Sequence, residues 1–439
     1  MDKRKKRAIE LGKDLLIVLL ACSGVYMAAD LMRVDGLSSL WKKESSASAG
    51  IVEHQENSST AWPVRLAVTS WNGESAMRYG VQYNWEECQT QFQTVASLLR
   101  EALSSPGVAR TAAEREWREA LSQRDSLYFD LLGSVPLEVL SGWLAGEETG
   151  LEGTARRLVL SVEGDGAVLY YQDSQTGMYY ARQAELVNVE QLQAVTAAVV
   201  DNGAKFAFEL EGYEDLEDET LLFPEPPRPR IYAASNPLSG EAQTEDIRAD
   251  SVLGGLLTAL SFPDSSYIYS GTDQVIRSGN DTLRLSASGV VRYIVAEGET
   301  SRYLIPAQGE TPTRLEIAET CRALAEKAVG GSAGEGRLFL QEMKREQGSW
   351  SVRFGYQLDG IEVQVGDQGC AAHFRVEGNE IAQFTLRLRT YTDTGTQGVV
   401  LPERQAVAAM QSMELRGQEL RLFYPDLGGD TLSAVWVAD

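Results

Sequence analysis

Histidine is nearly missing from this chain: 439 residues hold two, His54 and His373. With so little imidazole, general-base chemistry near neutral pH falls to carboxylates or is not done. His373 lies in the strand-like CAAHFRV, where a structural role is expected. Cysteine is scarce as well. Cys22 falls in an apolar run, while Cys88, Cys321 and Cys370 stand far apart. No CxxC spacing exists, which excludes a zinc knuckle or a thioredoxin-type redox pair. An odd number outside the run cannot all pair, so a bridge between Cys321 and Cys370 and three free thiols both stay open. Cys370 and His373 point to opposite faces of a strand, which excludes a thiol dyad. HExxH and GxxxxGK[ST] do not occur. Glu86 with Glu87, or Asp215 with Glu219, have the residue types of a glycosidase. An acidic chain contains many such pairs, and sequence spacing does not set the required separation in space.

Basic charge is also short, with 40 Lys and Arg against 63 Asp and Glu for a net charge of −23. The distribution is uneven: residues 1–43 carry nine Lys or Arg and five Asp or Glu, leaving −27 on the remainder. So acidic a body argues against nucleic acid as a partner and against docking on anionic lipid. It fits solubility or a cationic partner surface.

Long apolar runs are limited to one. It covers residues 15–29, directly behind Lys3, Arg4, Lys5, Lys6 and Arg7. Such a cluster is retained in the cytoplasm, so the expected topology is a single pass with the N-terminus inside and the acidic body extracytoplasmic. As a helix the run is about 22 Å long, short of a hydrocarbon core. Extension over 11–32 reaches a full span and puts Lys13, Asp14 and Asp30 near the headgroups. A cleaved signal peptide with small residues at Ala28 and Ala29, and a lipidated Cys22, are the competing readings. As a retained helix it offers Ala21, Ser23, Gly24, Ala28 and Ala29 for close packing against another membrane helix.

The segment 44–60, ESSASAGIVEHQENSST, reads as a flexible tether. An N-terminal α+β domain is expected over 61–220. Its WPVRLAVTSW alternates like a strand, 86–103 and 111–121 have helical spacing, RRLVLSVEG, GAVLYYQD and GMYYARQ read as strands, and 189–200 reads as a helix. The acidic stretch 209–219 reads as a solvated face, lacking the spacing and central Gly of a calcium loop. The prolines of LFPEPPRPR make 221–235 a stiff acidic and Pro-rich connector. A central α+β domain is expected over 236–310, with a helix at 247–260 followed by strands. The C-terminal domain, 311–439, opens with a helix at 313–328 and runs through amphipathic strands to a helix at 402–413 and two last strands. The fold class is therefore α+β: a transmembrane helix, then two or three domains of helices packed on antiparallel sheets.

Two clusters of tyrosine, Tyr170, Tyr171, Tyr179 and Tyr180, then Tyr267, Tyr269 and Tyr293, occupy neighbouring strand positions. Cross-strand pairing in a core is the ordinary use. Tyr180 and Tyr269 are the candidates for a partner surface.

FGYQLDGIEV, the turn VEGNEI, the helix LPERQAVAAM and the ending LRLFYPDLGGDTLSAVWVAD resemble the PepSY-type module, in which a helix precedes a curved antiparallel sheet. With the single N-terminal helix and YIYSGTDQVIRSGNDTLRLSASGVVRY in the middle, the whole chain resembles the YycH family. That resemblance implies a noncatalytic, membrane-anchored accessory regulator of a cell-wall two-component system. Its implied partners are the WalK-type sensor histidine kinase and a YycI-like companion, and no cofactor or metal is implied. The alternative is an envelope protease inhibitor or chaperone of PepSY type.

Overall fold

The sequence SLYFDLLGSVP shows no alternation of polar and apolar residues, and the fold explains it: this strand is covered on both faces. The structure, a computed structural model, describes residues 59–439 except 147–148, 186–187, 240–250, 263–266, 270–272 and 439. The run at 15–29, with Ala21, Ser23, Gly24, Ala28 and Ala29, lies outside the described residues, as does most of the tether. Among the described residues no helix is long and apolar enough to cross a membrane.

The first sheet is antiparallel and contains β1 (Arg65–Trp71), β2 (Ala76–Val81), β3 (Arg110–Ala112), β4 (Ser126–Pro136), β5 (Thr154–Glu163), β6 (Gly166–Asp173) and β7 (Tyr179–Ala184). They lie side by side as β2-β1-β4-β5-β6-β7-β3. Helices α1 (Trp85–Ser104), α3 (Leu137–Ala145) and α4 (Val189–Ala197) cover one face; α2 (Glu114–Ser122) covers the other with Trp117, Ala120 and Leu121. Leu127, Phe129, Leu158 and Leu160 go to the first face and Tyr128 and Val159 to the second, so adjacent residues are all buried. The helix expected at 111–121 starts later, because residues 110–112 pair with β7. Two turnless apolar segments, β4 and α3, have no counterpart in the sequence reading.

The chain then forms a short pair, β8 (Lys205–Phe206) with β9 (Leu221–Leu222), and β10 (Arg230–Ser235). After α5 (Val252–Ala259) come β11 (Tyr267–Tyr269), β12 (Asp273–Ser278), β13 (Asp281–Ser286) and β14 (Val290–Val295). Helix α6 (Arg314–Ala328) starts with a capping box in which Thr313 and Glu316 bond each other's backbone. It precedes β15 (Arg337–Glu346), β16 (Ser349–Leu358), β17 (Ile361–Val365), β18 (Ala372–Glu377), β19 (Glu380–Arg387) and β20 (Thr390–Gln397). Helix α7 (Glu403–Ser412), β21 (Leu420–Asp426), β22 (Thr431–Leu432) and β23 (Val435–Ala438) finish the fold.

In the second sheet β11-β12-β13-β14-β19-β18-β16-β15 are antiparallel neighbours, so the strands of 267–295 and those of 337–387 share one sheet. β17 leaves β16 to run parallel with β21, which pairs with β23. The proline-rich stretch does not end in free chain: β10 lies between β20 and β22 in a three-stranded sheet. The architecture is α+β with mainly antiparallel sheets, as the residue patterns imply. Cys88, Cys321 and Cys370 are buried and free.

The two large sheets meet at one bulge. In β4 the register shifts between Asp130 and Val135, Leu132 has φ +69°, and Ser134 bridges in parallel to Glu342 of β15. Gly133 permits this approach, since a Cβ there would lie 2.0 Å from the Leu340 carbonyl oxygen.

Candidate functional site

The strongest electrostatic feature is buried beside that bulge. Asp130 is fully buried and takes a two-pronged contact from Arg156 at 2.9 Å on each side. Arg65 donates to Asp130 at 3.0 Å and to Glu419 at 2.6 Å, and Arg156 also reaches Glu419 at 2.6 Å. Arg157 adds contacts to Glu419 at 3.2 Å and Glu217 at 2.8 Å. Burial would raise both carboxyls, but the surrounding guanidinia outweigh it. Asp130 is held low by Arg156, Arg65 and Arg157, and Glu419 well below the carboxylate range by Arg156, Arg157 and Arg65. This cluster ties the first sheet to the residue just ahead of β21; its chemistry is structural, because every charge is matched and enclosed.

The acidic stretch expected to be a solvated face is instead partly a clamp on arginines of the first sheet. Glu209 meets Arg78 at 2.5 Å, Asp218 meets Arg118, and the buried Glu219 accepts from the Trp117 indole at 2.5 Å. The reason is local: α2 and β5 present basic residues that sequence alone did not place near it. Asp215 contacts Gln411 and Arg416, away from Glu219, and Glu87 bonds Tyr79. Of the acids weighed for a glycosidase, Glu87, Asp215 and Glu219 are thus engaged in structural contacts, and Glu86 is exposed.

His373 is on β18 and its Nε2 lies 2.9 Å from the Ser351 hydroxyl of β16, across the strand pair. Its pKa is lowered by burial and by the nearby Arg353, so the ring is neutral. The pair lines an open cleft of about 580 Å³ with Trp350, Arg375, Gln383 and Thr385. No sequence signal links Ser351 to His373, since only strand register brings them together. Cys370 faces elsewhere, with Arg387 3.5 Å from its sulfur. Residues 330–334, GGSAG, have the spacing of a nucleophile elbow. They form a 3-10 turn in which Ser332 donates to the Val329 carbonyl at 3.2 Å. Among the described residues no group of three or more His, Cys, Asp and Glu is arranged to hold a metal ion.

The four tyrosines of β6 and β7 divide between two faces. Tyr171 stacks on Tyr180 with centroids 5.4 Å apart, while Tyr170 bonds Glu163 and Tyr179 packs on Trp117. Tyr180 is half-buried in that stack. Tyr269 is in β11, and its side chain lies outside the described residues.

A different surface is apolar and open. Helix α7 and β23 bound a groove of about 380 Å³ lined by Val399, Leu401, Ala409, Met410, Met413 and Val435. Val399 is 99% exposed, Met413 63% and Leu401 52%, and the Trp436 indole donates to the Leu401 carbonyl at 2.8 Å. Contiguous exposed apolar side chains of this kind mark a docking surface more than a solvated one. Scattered in sequence between α7 and its flanks, they were not visible as a patch.

No protein-family model matches the chain, and no curated protein matches it in sequence. In three dimensions it is similar to the crystal structure of YycH from Bacillus subtilis. The likeness has a TM-score of 0.51 at 11% identity and covers 88% of this chain and 96% of that one. The chain has a YycH-like fold. Because the YycH likeness spans nearly all of both chains, it includes both large sheets and their junction rather than one module.

Proposed function

We propose that the chain is a noncatalytic accessory regulator of a WalK-type sensor histidine kinase in a cell-wall two-component system. The YycH-like fold over 88% of the chain is the observation that supports this. On this reading the run at 15–29 is the single membrane anchor, with the N-terminus cytoplasmic and the acidic body extracytoplasmic. Ala21, Ser23, Gly24, Ala28 and Ala29 pack against the kinase's membrane helices. The last part of the chain, with its PepSY-like order of helix and strands, carries the α7 groove, which docks on the kinase's extracytoplasmic domain. Tyr180 and Tyr269 are further proposed contacts, and a YycI-like companion is the proposed third member.

The test is mild crosslinking of the full-length protein in native membranes, followed by identification of what is captured. A histidine kinase captured by wild type and lost in Met413→Glu supports the reading; an envelope protease captured instead replaces it with inhibition or chaperoning. Replacing residues 15–29 by an unrelated apolar helix separates the membrane contact from passive anchoring: regulation that survives the exchange refutes the contact.

A further inference from the structure

At the start of α7, in a cavity distinct from the apolar groove, the Glu403 side chain is buried. Only 7% of the residue is exposed, and among the described residues no Lys, Arg or His forms an ion pair with it. One carboxylate oxygen accepts the Phe223 backbone N–H at 3.2 Å; among the described residues the other has no protein hydrogen-bond partner. The residue lines a cavity of about 380 Å³ with Gln82, Tyr83, Phe223, Pro224, Pro227 and, at its rim, the exposed Glu225. A carboxylate held this way is costly unless something completes it, and burial accordingly pushes its pKa up to about 7.

The walls are built rather than loose. The Asn202 side chain bonds both the N–H and the carbonyl of Gly80, at 3.0 and 2.8 Å. Pro224 packs so closely on Gly203 that a Cβ there would lie 2.5 Å from it, and Phe223 sits against Gly80 in the same way at 3.1 Å. The Tyr83 hydroxyl accepts the Leu422 N–H at 3.2 Å, and the Arg65 guanidinium lies over its ring at 5.5 Å. The titratable groups facing Glu403 are therefore Tyr83 and Glu225, with Glu419 and Arg65 behind Tyr83.

We infer that this cavity is a binding site for an organic cation, an alkylammonium or guanidinium group, with Glu403 as its counter-ion and Tyr83 and Phe223 as its aromatic walls. Among the described residues no group of three or more His, Cys, Asp and Glu is arranged to hold a metal ion, and two carboxylates, one of them on the exposed rim, make a poor cage for a hard divalent cation. The aromatic and proline surfaces suit a weakly hydrated organic cation, which gains from ring faces as well as charge. An anion is disfavoured by both carboxylates and by the net charge of −23. The cation has two chemical sources, a free amine or a basic side chain of another protein. The inference does not depend on the kinase assignment, because the site is complete within this chain.

Titration calorimetry on the full-length protein tests it, with agmatine and an acetylated, amidated Gly-Arg-Gly peptide as probes and propionate as control. Saturable binding of agmatine at about pH 8 is expected, weakened about tenfold or more at about pH 5.5, where Glu403 is protonated, and about tenfold or more by Glu403→Gln. Glu225→Gln, on the exposed rim, is expected to weaken it less. Peptide binding without agmatine binding assigns the site to a partner's basic side chain; agmatine binding at equal or greater strength assigns it to a free amine. The inference is overturned if wild type binds neither probe, or if Glu403→Gln, shown folded by its melting transition, binds as well as wild type.

Discussion

A Cβ at Gly133 would lie 2.0 Å from a backbone oxygen that cannot rotate away, so Gly133→Ala must push β4 and β15 apart where the two sheets bridge. A loss of about 3 kcal/mol is expected in a urea melt. Gly73→Ala, at a turn with open space and φ +95°, separates backbone strain from this clash and should cost less. Glu403 makes an opposite kind of prediction, through pH. Its folded pKa lies above the ordinary 4.5, at about 7, so the folded state binds the extra proton between those values and stability falls as pH rises across that window. The loss is at most about 3 kcal/mol. Glu403→Gln should remove that slope, read as a melting temperature that is flatter from about pH 5 to 8 than in wild type. Asp130 and Glu419 have the reverse sign: their pKa values are depressed, so their contribution is present above the ordinary carboxylate range and is lost as pH falls below it. None of the three announces itself in the sequence, where each is one of 63 acids.

Among elements, the contacts that matter join parts of the chain far apart in sequence. Helix α3 crosses α6 at Gly142, where a Cβ would meet the Leu315 side chain at 2.4 Å. The Trp143 indole there donates to Glu319 at 2.8 Å, and Arg322 closes on the same carboxylate at 2.5 and 2.8 Å. Removing one member of a buried set strands the others. Glu419→Ala leaves three guanidinia short of a counter-charge and is expected to cost about 3–5 kcal/mol. Glu346→Ala, which breaks an exposed, solvent-screened pair with Lys344, is expected to leave the same melt almost unchanged. Equal losses at the two positions would contradict the burial argument. Elements with one wet face were legible in the sequence: α1, α6 with its Thr313 cap, and the hairpins from β15 to β19 all fall where periodicity places them. Those with two covered faces were not, because β4 and α3 carry apolar residues on both faces and their few polar ones mark out no wet face.

The molecule as a whole is held across the stretch 221–235 rather than divided by it. Arg65 with Glu419 and Trp143 with Glu319 join residues on either side of it, β10 within it pairs with β20 and β22, and the described residues 59–438 form one compact unit. Denaturation should therefore be a single cooperative transition, with the fluorescence of Trp117, packed on the first sheet from α2, coinciding with that of Trp436 in β23. Two separated transitions, or a fragment ending near residue 220 that folds alone, would show that the two sheets are independent. Composition and local pattern by themselves determined the acidic character, the α+β class, the identity of most helices and hairpins, and the candidate anchor. Each of these depends on neighbours within a few turns or on sums over the chain. Tertiary structure decided the rest: the arginine cluster around Asp130, the Ser351 and His373 pair, the α7 groove and the cavity at Glu403. These arise where strand register and sheet contact bring residues together across tens to hundreds of positions. A carboxylate's partners, and whether it has any, depend on that assembly and not on the residues beside it.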